Sequence, residues 1–189
     1  MRLLRRQIAE ISQALGTALQ DHTASLCRLC QIPGVQLEAA QELLAEIGPT
    51  AAAFASPQQF ASWVGVCPGS QQSAGVCYSH RSAKGNRYLR RLLCQIAWAA
   101  IRTKDSFFGG LFARLLPRVE AKGAMWGVAH RVAKVIWLVL HQGVDYQERG
   151  PAPVNLASLL RKLNRLTRQF AAHGIDLAPL IIQKAEATA

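Results

Sequence analysis

A chain of 189 residues, half of them hydrophobic, is long enough to bury the core of one domain with an appended arm, which excludes wholesale disorder. Lys and Arg number 22 against 11 acids, and a net charge of +11 favours a polyanionic partner, nucleic acid ahead of an anionic membrane. Five cysteines, an odd number in a sequence without a visible secretory signal, exclude a disulfide framework.

In chain order, residues 2–30 place Leu4, Ile8, Ile11, Leu15, Ala18, Leu19, Leu26 and Leu29 at helical steps. This is the seam of a long coiled-coil-like helix that wants a partner helix, and it predicts a homo-oligomer through residues 2–30. The pattern is at full strength by Leu4 with no capping signal before it, so further sequence upstream is expected. Cys27 and Cys30, with Cys67 and Cys77, could offer four thiolates to zinc. The second pair is too widely spaced and the first lies in a helical pattern, so buried free thiols are expected instead.

Ile32-Pro33-Gly34-Val35 breaks the chain before a predicted helix over 37–47, which Gly48-Pro49 ends. Helix, Pro-Gly turn, helix reads as a helix-hairpin-helix-like entry whose amides could face a phosphate. Gln36 stands where that turn usually has a second glycine, and a purely structural hairpin remains equally open. Ser56-Pro57 predicts a cap and first turn for a helix through Trp63. The stretch from Gly65 to Ala83 is irregular. From Lys84 to Arg102 a helix is predicted with Lys84, Arg87, Arg91, Gln95 and Arg102 on one stripe; Leu89, Leu92, Leu93, Ile96 and Ala100 oppose it. Further helices are predicted near 107–118, 124–140 and 155–171, the last capped by Asn155 and carrying Arg161, Lys162, Arg165 and Arg168. The fold class is therefore all-α, with a connector helix over 1–30, a compact helical domain over 31–150 and a basic helix and tail over 151–189. The most apolar run, Val135–Leu140, is too short to span a bilayer, so no membrane partner and a cytoplasmic location are expected.

Chemistry concentrates in Pro68-Gly-Ser-Gln-Gln-Ser73-Ala-Gly75, just ahead of the basic helix. A serine hydroxyl there could attack a phosphodiester whose charge the cations offset, since a helix start already favours anions. Lys84, Asn86, Arg87, Arg90, Arg91 and Arg102 are the candidate DNA contacts. On the residues alone, Ser73 reads as exposed filler rather than as a nucleophile. Gln71 rules out a Gly-x-Ser-x-Gly elbow, and nothing ties His80 to Ser73 as a base.

Several blocks, in order, resemble the C-terminal domain of the bridge-RNA-guided DEDD insertion-sequence transposases, the insertion-sequence family numbered one hundred and ten. They are Ile32-Pro-Gly-Val35, Leu44-Ala-Glu-Ile-Gly48, Phe60-Ala-Ser-Trp-Val-Gly-Val-Cys-Pro-Gly69, Gln72-Ser-Ala-Gly75 and Lys84-Gly-Asn-Arg-Tyr-Leu-Arg-Arg91, followed by Ala97-Trp-Ala-Ala100, Arg102-Thr-Lys104 and Val128-Ala-His130. The resemblance covers roughly residues 30–150. It implies DNA transposition and recombination under a guide RNA, with Ser73 as the nucleophile that joins covalently to a DNA end. It also implies magnesium held by four acids of an N-terminal RuvC-like domain. No such acidic set is visible in this sequence, so no cofactor is expected on these residues and activity is not expected from the chain alone. Val76, Cys77, Tyr78 and His80 occupy places where the family usually has basic or small residues, and both departures fit a truncated or decaying element copy. The competing expectation is a non-catalytic helical nucleic-acid-binding module.

Overall fold

Helices form where apolar residues recur every three or four positions, and a central one of them organises the rest. The computed structural model describes residues 2–69, 71–73, 76–79, 82–151 and 156–174; of Arg2, residues 71–73, 76–79 and 156–158, and Lys162 it describes the backbone alone. The chain divides into two units, Met1–Ala152 and Pro153–Ala189.

The first unit opens with α1 (Arg2–Ala18), whose apolar stripe stays in solvent: Leu4 is 60% and Ile8 63% exposed. One helix through residue 30 does not form. A 3-10 turn at Gln20–His22 interrupts it, with the Thr23 hydroxyl donating to the Gln20 carbonyl at 2.6 Å, before α2 (Thr23–Cys30) resumes. Only α2 joins the core, through Leu26 and Leu29. Cys27 and Cys30 face outward, so the expected buried thiols are corrected there, while Cys67 and Cys94 are half-buried.

Next come α3 (Leu37–Ile47) and α4 (Pro57–Val64), the latter capped by Ser56, whose hydroxyl accepts from the Gln59 amide at 3.2 Å. The Pro33-Gly34 turn sits directly on helix α5 (Arg87–Arg102). Gly34 has φ +86°, and a Cβ there would come within 2.6 Å of the Ile96 carbonyl oxygen and 2.8 Å of the Ala100 nitrogen. Close backbone approach explains this glycine, as the structural reading of the hairpin requires. Helix α6 (Phe107–Leu115) is capped by Ser106 and stops short of Pro117.

Helix α7 (Ala121–Gln142) packs against α2, α4, α5 and α6. Val128, Ala129, Val132, Ala133 and Ile136 are fully buried on it, which makes it the centre of the unit. Its length and composition would suit a membrane span, but more than half of its apolar window lies inside the protein, as a core helix does. After α7 an extended strap returns over the helices. Asp145 accepts from Gln31 at 3.2 Å, Tyr146 stacks on Phe108, and Glu148 accepts from the Phe107 amide at 2.9 Å. A carboxylate at that position complements the positive end of α6.

The first unit is all-α apart from one antiparallel hairpin, β1 (Gln71–Ser73) with β2 (Val76–Ser79), where the sequence suggested only irregular chain. The second unit contributes α8 (Leu156–Ala172), with Leu159, Leu160, Leu163, Leu166 and Phe170 exposed along one side. Asn155, expected to cap it, lies outside the described residues.

Candidate functional site

Two glycines create the neck from which the Ser73 segment departs and to which it returns. At the end of α4, Gly65 takes the left-handed conformation (φ +80°, ψ +30°). Gly85 lies against it: a Cβ on Gly85 would fall 2.2 Å from the carbonyl carbon and oxygen of Val64 and 2.4 Å from the Gly65 nitrogen. No other residue type permits backbone to meet backbone so closely. The Asn86 amide adds a hydrogen bond to the Trp63 carbonyl at 3.3 Å. Residues 66–84 therefore form an excursion closed at its base.

Asn86 and Arg90 hold this neck together. The Asn86 side-chain oxygen caps α5 by accepting from the amides of Tyr88 (2.9 Å) and Leu89 (3.1 Å), and its amide group donates to Glu46 at 2.8 Å. Helix α5 thus starts at Arg87 rather than Lys84, because Asn86 satisfies its first free amides from outside the helix. Arg90 reaches back to donate to the Gly65 carbonyl, to the Ser82 hydroxyl at 3.0 Å and to the Ala83 carbonyl at 3.0 Å, with its guanidinium 4.7 Å over the Trp126 ring. A cation at the C-terminal end of α4 is also favourable to that helix's dipole. Of the expected DNA contacts, these two are engaged within the fold.

Lys84, Arg87, Arg91 and Arg102 are exposed. Lys84 and Arg87 flank the neck directly, and Arg91 follows one turn later. Arg102 sits at the other end of α5, about 22 Å along the axis from Arg87, so the structure does not gather it with them. The first turn of α5 contains no acid. Cations at the positive end of a helix oppose its dipole, by about 0.3–1 kcal/mol each at the surface, and a bound anion would relieve that conflict.

Two aromatic residues belong beside these cations and were missed by counting charges alone. Tyr88, Arg91, Gln95, Trp98 and Arg102 recur at steps of three and four along the outer side of α5 and are all exposed, Tyr88 by 59% and Trp98 by 38%. Trp98 is braced by Phe112 at 6.1 Å between ring centroids. Arginines interleaved with exposed aromatic rings suit phosphate pairing and base stacking together. The signal was present in the spacing.

Ser73 is the last paired residue of β1, opposite Val76, so it stands at the tip end of the hairpin; its side chain lies outside the described residues. The same holds for Cys77. Among the described residues no three His, Cys, Asp or Glu come together as a metal site requires. The acid that touches the neck is otherwise occupied: Glu46 accepts from Asn86. Burial, Cys27 and Glu38 push the Cys30 thiol up, and burial does the same to Cys67. The described residues do not fit a magnesium or zinc site.

The glycine neck, the cap and the helix behind it fall inside a recognisable segment. Residues 27–108 match the model of the Transposase IS116/IS110/IS902 family. The match runs from the middle of α2 to the first turn of α6, and the central helix α7 lies beyond it. Relatives extend the likeness. A transposase-named protein of Sinorhizobium fredii, y4pF/y4sB, is 28% identical over 138 residues, 67% of this chain and 34% of that protein. A family 20 transposase of Pseudomonas aeruginosa is 27% identical over 155 residues, covering 78% of this chain and 44% of its own length. The insertion element IS110 protein of Streptomyces coelicolor is 27% identical over 136 residues, covering 69% and 32%. The chain thus matches between about a third and under half of the length of these curated relatives.

Proposed function

We propose that this chain is the serine-bearing, DNA-binding part of an insertion-sequence transposase. The observation that carries the reading is the neck: Gly65, Gly85 and Arg90 fix both ends of the Ser73 segment beside Arg87 and Arg91 at an acid-free helix start. A phosphodiester held there would have its charge offset while Ser73 attacks. In that step the serine oxygen bonds to phosphorus, the bond from phosphorus to one deoxyribose oxygen breaks, and the proton of the serine ends on the departing hydroxyl. The product is a serine–DNA ester that conserves the phosphodiester energy for rejoining. Magnesium and a guide RNA, which the family resemblance brings with it, would belong to the complete assembly. The exposed stripe of α1 supports self-association within that assembly.

The test uses end-labelled branched DNA on denaturing gels. The chain alone gives no covalent band, because an unactivated serine is a poor nucleophile. Together with a full-length relative whose own nucleophilic serine is replaced by alanine, and with its guide RNA, the chain gives a protease-sensitive band that Ser73→Ala removes. A band that survives Ser73→Ala assigns the chemistry to another residue, and a band from the chain alone shows that no outside acids are needed. The alternative, a helical nucleic-acid-binding module without catalysis, predicts DNA binding with no covalent band under either condition.

A further inference from the structure

A cleft of about 370 Å³ lies between α6 and α7, away from the neck. Its floor is apolar, made by Phe107, Leu111 and Leu115, and Leu115 comes so close to α7 that a Cβ on Gly127 would stand 2.7 Å from its Cδ1. Its other lining side chains are two cations, Arg114 from α6 and Arg131 from α7, and the His130 imidazole from α7. The Arg131 guanidinium lies 5.5 Å from the centre of the Phe107 ring. Among the described residues no carboxylate lines the cleft.

Those features specify a ligand. A duplex backbone needs only exposed cations and gains nothing from an apolar floor, because its bases are stacked inside the helix. An acyl chain needs a longer floor, since Phe107 to Leu115 spans only about 12 Å of helix. A flat ring with a phosphate attached uses both parts, the ring on the floor and the phosphate at the rim. Burial, Lys134 and Arg131 hold His130 below the ordinary imidazole range, so it is neutral at pH 7 and offers one donor and one acceptor to a base edge. Lys134, one turn further along α7, is an electrostatic neighbour of both His130 and Cys67. Cys67 leads into the hairpin, and Lys134 is the half-buried cation that the two share.

We propose that the α6–α7 cleft holds an unpaired nucleotide of a single strand. This rests on the nucleic-acid reading above and adds to it a strand-selective site.

Fluorescence anisotropy with the full chain tests it, using labelled oligo-dT, oligo-U and a duplex of equal length, with phosphatidylglycerol vesicles as a further arm. Leu111→Trp fills the floor and keeps every cation; Arg114→Ala with Arg131→Ala removes the rim. Leu111→Trp should weaken single-strand binding by at least about tenfold and change duplex binding by less than about twofold. The rim variant should weaken single-strand binding and flatten its salt slope by roughly 0.7 for each phosphate that is no longer neutralised. Photocrosslinking of 5-iodouracil-substituted oligonucleotide should place the adduct on the peptide containing Phe107, a readout independent of variant folding. The relative affinity of oligo-dT and oligo-U identifies which strand is held. Unchanged single-strand affinity in Leu111→Trp, or crosslinks confined to α5, would overturn the proposal while leaving the DNA-binding reading standing. Loss of vesicle binding alone in the variants would assign the cleft to a lipid. Failure of the wild type to bind any nucleic acid would overturn both.

Discussion

Replacing Gly85 with Ala places a methyl group 2.2 Å from the Val64 carbonyl, and every atom it meets is backbone. An ordinary carbon contact is about 3.5 Å, so the two chain segments must part by roughly 1.3 Å. The Asn86–Trp63 hydrogen bond, already 3.3 Å long, then breaks, and the Arg90 fork can no longer reach Gly65 and Ala83 together. Overpacking typically costs about 1–3 kcal/mol, and a broken charge-assisted hydrogen bond about 1.5–3 kcal/mol. The stiffer unfolded chain returns only about 0.4–1 kcal/mol. The balance is a loss of about 3 kcal/mol, which for a chain of this size lowers Tm by roughly 6–12 °C. Circular dichroism melts at 222 nm measure it, with Gly16→Ala as the control, since no atom lies within 4 Å of a Cβ there. A Gly85→Ala melt within about 2 °C of wild type would refute the account of the neck, because it is too small a shift for a core backbone clash.

Asn86→Ala should cost about 1 kcal/mol through loss of the α5 cap, and Asn86→Ser should retain most of that in urea titration, since its hydroxyl can cap the helix without setting a second carboxylate against Glu46. His130 has a lowered pKa in the folded protein, with Lys134 and Arg131 on its own helix and Arg114 across the cleft. The unfolded chain therefore binds the proton first, and stability that is full above the ordinary 6.5 should fall as pH drops below it. His130→Gln should flatten that slope, and an identical slope in the variant would rule the group out. Sedimentation at about ten micromolar, within the transient affinity range, should find dimers or larger species for the full chain and monomers once residues 2–18 are deleted. A monomeric full chain would mean that the α1 stripe folds back on its own protein.

Local signals were legible where one residue decides an outcome. The Ser56-Pro57 cap, the 37–47 helix and the buried face of α5 all follow from the sequence and appear in the structure. Interactions between distant segments were not legible. On a helical wheel Arg90 is one more cation of a basic helix, yet its fork is drawn inward by carbonyls contributed by Gly65 and Ala83. The interruption at Gln20–His22 was hidden because apolar residues continue on both sides of it. The cleft between α6 and α7 was invisible for the same reason as Arg90: Phe107 and Arg131 meet only once the helices pack.

Closing an excursion at its base separates two kinds of evolutionary change. Substitutions or insertions between residues 68 and 81 leave the α4–α5 junction untouched as long as Gly65, Gly85 and Arg90 persist with the core residue Val66 and the Ser82-Ala83 acceptors, because loop length itself costs little entropy. That segment then behaves as an interchangeable cassette on a fixed mount, free to change without a compensating change in the core.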